Sequence, residues 1–462
     1  PDGAVPHYNQ HAWRQHESNL LNGGLPELFT VNHDELMRNL VEGDNVLGLQ
    51  LHNNWLDDEM SINSWFSLGL NSNASQFSET PDWFFHDTLM LHTGYKLDSQ
   101  GESILLFDSE GNLLSSLIFP EIPADHSYGR YIDGADSTVY FCRPTPGSSN
   151  DQQEKFLGVV TEVPVFSRPA GFYEAAPADS LYIRISAPDT GYITRYTTDG
   201  NVPADTSAIY FDSIPITETT VIKARLFKPG LLPGKVVTHT YIINKTTNLP
   251  VVSVSARPHE LWDFEEGIYV KGPEADNTFP YYGANFWRDI EIPAHWEFFG
   301  ADQQRHFHQD AGMKIHGNWS RAFPQRSLRL TARSDFGASD FSFPFFTDKN
   351  IRNHKRLILR NGGNDFQGAH LRDALISKMV QPVAHFPVQD YLPVAVFLNG
   401  DYWGIHNLRE KIDADYLMQN FALVNDDIDL LENNFEIIDG ENQDFIDLYQ
   451  FIYYHDLSNP QN

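Results

Sequence analysis

Several groups of side chains in this sequence have the types and spacing to do chemistry. His306 and His308 stand at i and i+2, which on a strand puts both imidazoles on one face, as zinc ligands require. No third ligand lies near them in sequence, so an exposed polar edge is the favoured reading. Asp108, Glu110 and Asn112 alternate like the oxygen ligands of a calcium loop. The coordinating glutamate that should follow is missing, which favours an ordinary hairpin turn. Asp365 follows Gly362-Gly363 and suits either a metal ligand or the cap region of a coming helix. Arg372 and Asp373 suit an internal ion pair that anchors that helix. The acidic run from Asp426 to Glu432 reads as a solvated loop and helix start, with no EF-hand pattern.

Those groups sit in a strongly acidic chain. Its 62 Asp and Glu outweigh 32 Lys and Arg to give a net charge of −30, which makes nucleic acid and anionic lipid poor partners. Acidity on this scale keeps a large protein soluble; it also suits hard cations, so Ca²⁺ is a candidate ligand. Cys142 is the single cysteine, which excludes an intramolecular disulfide and a cysteine-based zinc site. No run approaches the ~18 consecutive apolar residues of a membrane-spanning helix. The sequence starts at Pro1 without a charged or apolar leader, so a processed or trimmed product is expected.

At 462 residues the chain has room for about three domains. Short β-branched and aromatic runs punctuated by 31 glycines and 27 prolines predict β-sandwiches over its first half. Residues 1–80 hold one clear strand, Asn45 to Asn53, after a Gly43-Asp44 turn. Over 82–150, Gly101 to Asp108, Glu110-Gly111-Asn112 and Leu113 to Phe119 predict strand, tight turn and strand. A polar linker, Ser148 to Glu154, leads to 163–244. There Asp199-Gly200 signals a type I′ turn and Thr219 to Arg225 alternates as a half-buried strand. From Leu249 the texture becomes mixed α and β. A basic strand spans Met313 to Arg321, and Pro324 to Thr331 follows it. Ala369 to Val380 has the spacing of an amphipathic helix, and Asn399-Gly400 marks a hairpin between Tyr391–Leu398 and the residues after it.

These segments resemble known modules. Residues 1–80 are similar to the closing strands of galactose-binding-like jelly rolls, entered partway at Asp2 to Val5. Residues 82–150 resemble the lamin-tail domain, an immunoglobulin-like sandwich. Residues 163–244 resemble the small β-sandwich at the C-terminus of chitobiases and of many exported bacterial proteins. None of the three brings an obvious nucleophile, metal cluster or phosphate loop, and they read as scaffolding.

Over 249–462 the segments Pro324-Gln325-Arg326-Ser327-Leu328-Arg329-Leu330, Arg360-Asn361-Gly362-Gly363-Asn364-Asp365 with Leu371 to Leu375, and Asn399 to Asp413 resemble the CotH family, named for a spore-coat kinase. The resemblance implies an α+β, atypical protein-kinase-like fold that transfers phosphate from ATP to Ser/Thr of partner proteins, with Mg²⁺ or Mn²⁺. It places the phosphate-binding cation at Arg326, where the family has lysine, an exchange that is not conservative in shape. Lys314 is the alternative cation, and Glu410 the carboxylate that would orient it. Arg372 and Asp373 become candidates to face the nucleotide, and Asp365 a weaker candidate for the metal. The family's downstream segments carrying the catalytic and metal-binding aspartates have no counterpart between Asp413 and Asn462. The expectation is therefore the first half of a kinase-like domain, inactive by itself. The fold class that results is a multi-domain chain of all-β sandwiches followed by a truncated-looking α+β kinase-like segment. Localisation is expected to be secreted or at a bacterial surface or extracellular matrix, with surface proteins or glycans as partners. The competing reading is a structural or adhesive surface component with a degenerate kinase fold.

Overall fold

A computed structural model describes residue 97 and residues 101–455, except 124–125, 133, 146–147, 152, 176–180, 384–385, 422, 424–427 and 434. All belong to one unit, Tyr95–Asn462. The expected jelly-roll strand Asn45–Asn53 lies outside the described residues, as do Asp426 and Asp427 of the acidic run, whose end forms a strand, Leu430–Glu432, rather than the expected helix start.

The predicted hairpin is β1 (Gly101–Phe107) and β2 (Leu113–Pro120), antiparallel. Its turn is closed by Asp108, whose carboxylate accepts the backbone N–H of Glu110 and of Asn112 at 2.9 and 2.8 Å. The Asn112 side-chain N–H is its third donor and the largest cause of a carboxyl pKa below the ordinary value. The Asp108 oxygens thus serve a turn. Strands β3 (Ser127–Arg130), β4 (Thr138–Phe141) and β5 (Lys155–Phe156) form a separate three-stranded sheet.

The next module is a sandwich. One sheet runs β10 (Ala208–Ile209), β9 (Ile193–Thr197), β12 (Thr220–Phe227), β13 (Val237–Ile243), β7 (Gly171–Tyr173). The other runs β11 (Ser213–Ile216), β8 (Leu181–Ser186), β6 (Val165–Phe166). Alternation sends Ile222, Ala224, Tyr241 and Ile243 inward against Ile183, Ile185, Ile214 and Ile216. The expected I′ hairpin at Asp199-Gly200 is not formed. Gly200 does take φ +92°, but the Asp199 side chain caps the turn through Asn201 and opens a longer loop before β10.

The remaining strands close into a barrel in the order β14 (Val251–Ala256), β15 (Ile292–Phe299), β16 (Arg305–His316), β17 (Ser327–Thr331), β20 (Arg356–Arg360), β22 (Asp401–Glu410), β21 (Tyr391–Leu398). All ladders are antiparallel except β14–β21, which is parallel and seals the barrel. Every second residue, including Met313, Ile315, Leu328, Leu330, Leu357, Leu359 and Leu408, fills the interior with Trp296, Phe341 and Phe345. Small two-stranded sheets are made by β18 (Phe341–Ser342) with β19 (Asn353–His354), and by β23 (Leu430–Glu432) with β24 (Glu436–Asp439). Helices are few: α1 (Pro258–Trp262), α2 (Arg372–Val380), α3 (Ala414–Phe421) and α4 (Gln443–Tyr454). The predicted helix exists as α2, but its apolar face is not covered by the described residues. Ala374 is buried, whereas Leu375, Ile376 and Met379 are exposed.

Sandwich and barrel share a buried apolar contact. Ala170 and Ile242 of the sandwich pack with Val251, Phe299, Ala395 and Phe397 of the barrel. Beside it, the Thr240 and Ser253 hydroxyls are 2.8 Å apart, and Arg305 donates to Glu297 at 2.7 Å and to the Thr238 carbonyl at 3.3 Å.

Candidate functional site: a basic face on the barrel

On β16 and β17 the residues between the core positions point outward: Lys314, His316 and Arg329. Lys314 and Arg329 are direct cross-strand partners. Like charges so placed repel, and carboxylates offset them. Asp289 takes the Lys314 ammonium, while Glu291 takes Arg333 at 2.5 Å and Arg329 at 3.8 Å. On β20 and β22, Arg360 and Arg409 both donate to Asp373 Oδ2 at 2.7 Å. Arg356 is held by Asp413 and Asp415 at 2.8 Å, and Lys411 stands 3.9 Å from Asp413. Arg321, behind the Gly317 turn, has only carbonyl partners, Gly317 and Trp287, and lies over the Trp287 ring at 5.7 Å. Eight cations are thus served by five carboxylates, so this face is positive within an acidic chain.

Two groups report that field. Lys314 is pushed down to about 8, first by burial and then by Arg329, Arg321, Lys411 and Arg333. His316 is pushed down to about 3, again by burial first, then by Arg329, Lys411, Arg321 and Arg360. His316 is therefore neutral at physiological pH. An anion entering here gains Coulomb energy and opposes the part of both shifts that the neighbouring cations cause.

Arg326 is elsewhere. It alternates with Ser327 and so lies on the core side with Leu328 and Leu330, across the sheet from Lys314. Its guanidinium is 4.2 Å from the Phe286 ring centre and 4.8 Å from that of Tyr269. Nη1 donates to the Pro324 carbonyl at 3.3 Å, and the buried Nε has no partner. Burial pulls its pKa below the usual arginine value. Its backbone is fixed from two sides. The Arg326 N–H donates to the Tyr269 hydroxyl, which also accepts from Trp403 Nε1 at 2.7 Å. His406 Nε2 lies 3.1 Å from the Arg326 carbonyl.

Glu410 does not meet Arg326. The pairings Leu328↔Leu359 and Leu357↔Glu410 set them about four residues apart along the sheet, or ~13 Å. The cation on Glu410 is Lys349, from the loop between β18 and β19, which also donates to Asn420 at 2.9 Å and to the Val388 carbonyl at 3.2 Å. Nothing in the sequence pattern around Lys349 announced this.

Arg372 and Asp373 do not pair with each other either. Adjacent helical residues face different ways, and Arg372 reaches Asp365 at 3.2 Å while Asp373 serves Arg360 and Arg409. Of the two readings for Asp365, the cap is the one seen. Its oxygens accept the N–H groups of Ala369, Leu371 and Arg372, each at 3.1 Å, at the entry to α2. Arg372 Nε stands a further 3.2 Å from Oδ1, so the carboxylate is held by the helix entry and by an ion pair. Desolvation opposes ionisation there, but these donors outweigh it and hold the carboxyl below its usual pKa. His306 pairs with Asp302 at 2.9 Å, and His308 stands beside His295. Among the described residues no group of three or more His, Cys, Asp or Glu could hold a metal ion.

The conspicuous motifs meet as packing. Ser327 Oγ donates to Asn361 Oδ1 at 2.9 Å and accepts the Asn361 N–H at 3.0 Å, and Asn361 Nδ2 donates to the Gln325 carbonyl at 2.6 Å. A closed barrel stapled at these residues, with a small sandwich docked on it, defines a modular β-rich protein. Residues 313–456 match the family model described as CotH kinase protein, and residues 169–238 match that of the chitobiase/beta-hexosaminidase C-terminal domain. The chain therefore carries a CotH family domain preceded by a chitobiase-type domain. No curated protein matches the chain. No helix among the described residues is long and apolar enough to cross a membrane.

Proposed function

We propose that the CotH domain binds the phosphate groups of a nucleotide such as ATP on this basic face, in a protein exported to a cell surface, spore coat or extracellular matrix. The observation that carries the reading is the excess of cations over carboxylates around Lys314, His316 and Arg329. Phosphoryl transfer is catalysed mainly by positioning and by neutralising charge on the phosphates. Arg329, Lys314 and Arg321 provide that neutralisation, and neutral His316 can donate or accept one hydrogen bond. Mg²⁺ or Mn²⁺ has no ligand set among the described residues, so it enters the proposal only as the nucleotide's own counter-ion and no step is routed through it. Transfer to Ser/Thr of neighbouring surface proteins is the activity that family membership suggests. The test is calorimetric titration of the intact chain with ATP and with tripolyphosphate, followed by a labelled-phosphate transfer assay. Binding weakened by salt and by Arg329→Ala supports the proposal; no binding of either anion at millimolar concentration rejects it.

A scaffold role is favoured by one separate observation, the buried contact that locks the sandwich to the barrel. Chains acting this way should be recovered as a repeating subunit of a native assembly, and recovery only as free monomer would count against the role.

A further inference from the structure

We propose that the cleft between the chitobiase-type sandwich and the barrel binds a neutral oligosaccharide. The open, polar cleft has a volume of about 510 Å³, within the ~300–1,000 Å³ of small-molecule sites, which favour such module boundaries. One wall is the sandwich, at Thr198, Thr217–Thr220 and Ile243–Lys245; the other is the β21–β22 hairpin, from Phe397 to Tyr402.

The walls are fixed by groups that are already satisfied. Asn399 accepts the Ala256 N–H and donates to the Ala256 carbonyl, both at 2.9 Å. Asn244 makes the same clamp on Ala175, at 2.9 and 2.8 Å. Thr219 Oγ1 accepts the Ile243 N–H at 3.1 Å. Gly400, at φ +92°, brings the hairpin tip so near that a Cβ would stand 3.0 Å from the Thr219 carbonyl oxygen.

Other residues of the lining carry side chains that are not committed in this way. Thr198, Thr217, Glu218, Lys245 and Asp401 belong to the lining, and their side chains have no hydrogen bond or ion pair with any described residue. Tyr402 presents a ring that is 57% exposed and steadied by Phe397 at 5.6 Å. Two hydroxyls, two carboxylates and one ammonium supply both acceptors and donors, as sugar hydroxyls require. A flat, half-exposed tyrosine offers an apolar face for the C–H side of a pyranose and a polar tip. One lysine against two carboxylates leaves the cleft slightly negative, so a polyphosphate or acidic polysaccharide is disfavoured. That sets it apart from the basic face.

The experiment screens the intact chain by saturation-transfer NMR against soluble neutral oligosaccharides: cellohexaose, chitohexaose, mannohexaose and a galactan fragment. The expected result is millimolar or tighter binding of at least one. Tyr402→Ala and, separately, Asp401→Asn should weaken it about tenfold with the melting temperature unchanged. Three results would each overturn the assignment: no member of the panel bound at millimolar concentration, binding that both variants leave intact, or preference for acidic sugars.

Discussion

Lys223 of the sandwich and Lys314 of the barrel are both pushed down to about 8, in both cases first by burial. Beyond burial they differ. Lys223, on β12 at the module contact, is surrounded by mixed charge: Asp310, Glu260 and Asp199 favour its ammonium and Arg257 opposes it. Around Lys314 the further contributors are all cations. The same shift therefore stands beside mixed charge in one region and, in the other, beside an excess of cations that Asp289 and Glu291 offset only in part. Depressed lysines mark burial; the sign of their neighbours marks an anion site.

The largest expected break of this contrast lies at the mixed-charge region. Glu297 is 1% exposed and depends on Arg305. Arg305→Ala strands that carboxylate and should cost about 3–5 kcal/mol in denaturant unfolding. A loss below about 1 kcal/mol would mean the contact is not tightly desolvated. On the basic face, Asp373→Asn leaves Arg360 and Arg409 facing each other. With partial solvent screening it should cost about 1–2 kcal/mol, while polyphosphate binding tightens because the face gains positive charge. Unchanged affinity would argue that the field does not act as a unit.

A third effect is read in pH, as a slope spread over several units. The ordinary histidine pKa is 6.5 and that of folded His316 is about 3. The unfolded chain thus takes up the proton first, and stability falls as pH drops from about 6.5 towards about 3. His316→Gln should flatten the unfolding profile in that window by up to about 1.4 kcal/mol per pH unit. His239, His354 and His406, pushed down to about 3, 4 and 4, leave a residual slope of the same sign. A variant profile superimposable on the parent would contradict the placement of His316.

Much of the strand layout was legible in the sequence because alternation and turn chemistry are local. The β1–β2 hairpin, the Asn399-Gly400 turn with φ +51° and +92°, and the strand at Leu357–Arg360 follow from it. Barrel closure was not legible, since the parallel β14–β21 ladder joins residues almost 150 positions apart, which no local pattern encodes. The site was half legible. The basic strand drew attention to Lys314, and alternation could have added His316 and Arg329. The family resemblance points to Arg326, yet it precedes outward-facing Ser327 by one residue, and alternation sends it to the core side. Glu410 was matched to the wrong cation because Lys349 comes from a loop with no periodic signal.

The two lysines give the most direct test of the basic-face reading. Tripolyphosphate is titrated into the intact chain, into Lys314→Met and into Lys223→Met at low and moderate salt. Lys314→Met is expected to weaken binding about tenfold, Lys223→Met to leave it unchanged, and salt to weaken all three. Equal losses for the two variants, or no binding by the parent chain, would contradict that reading.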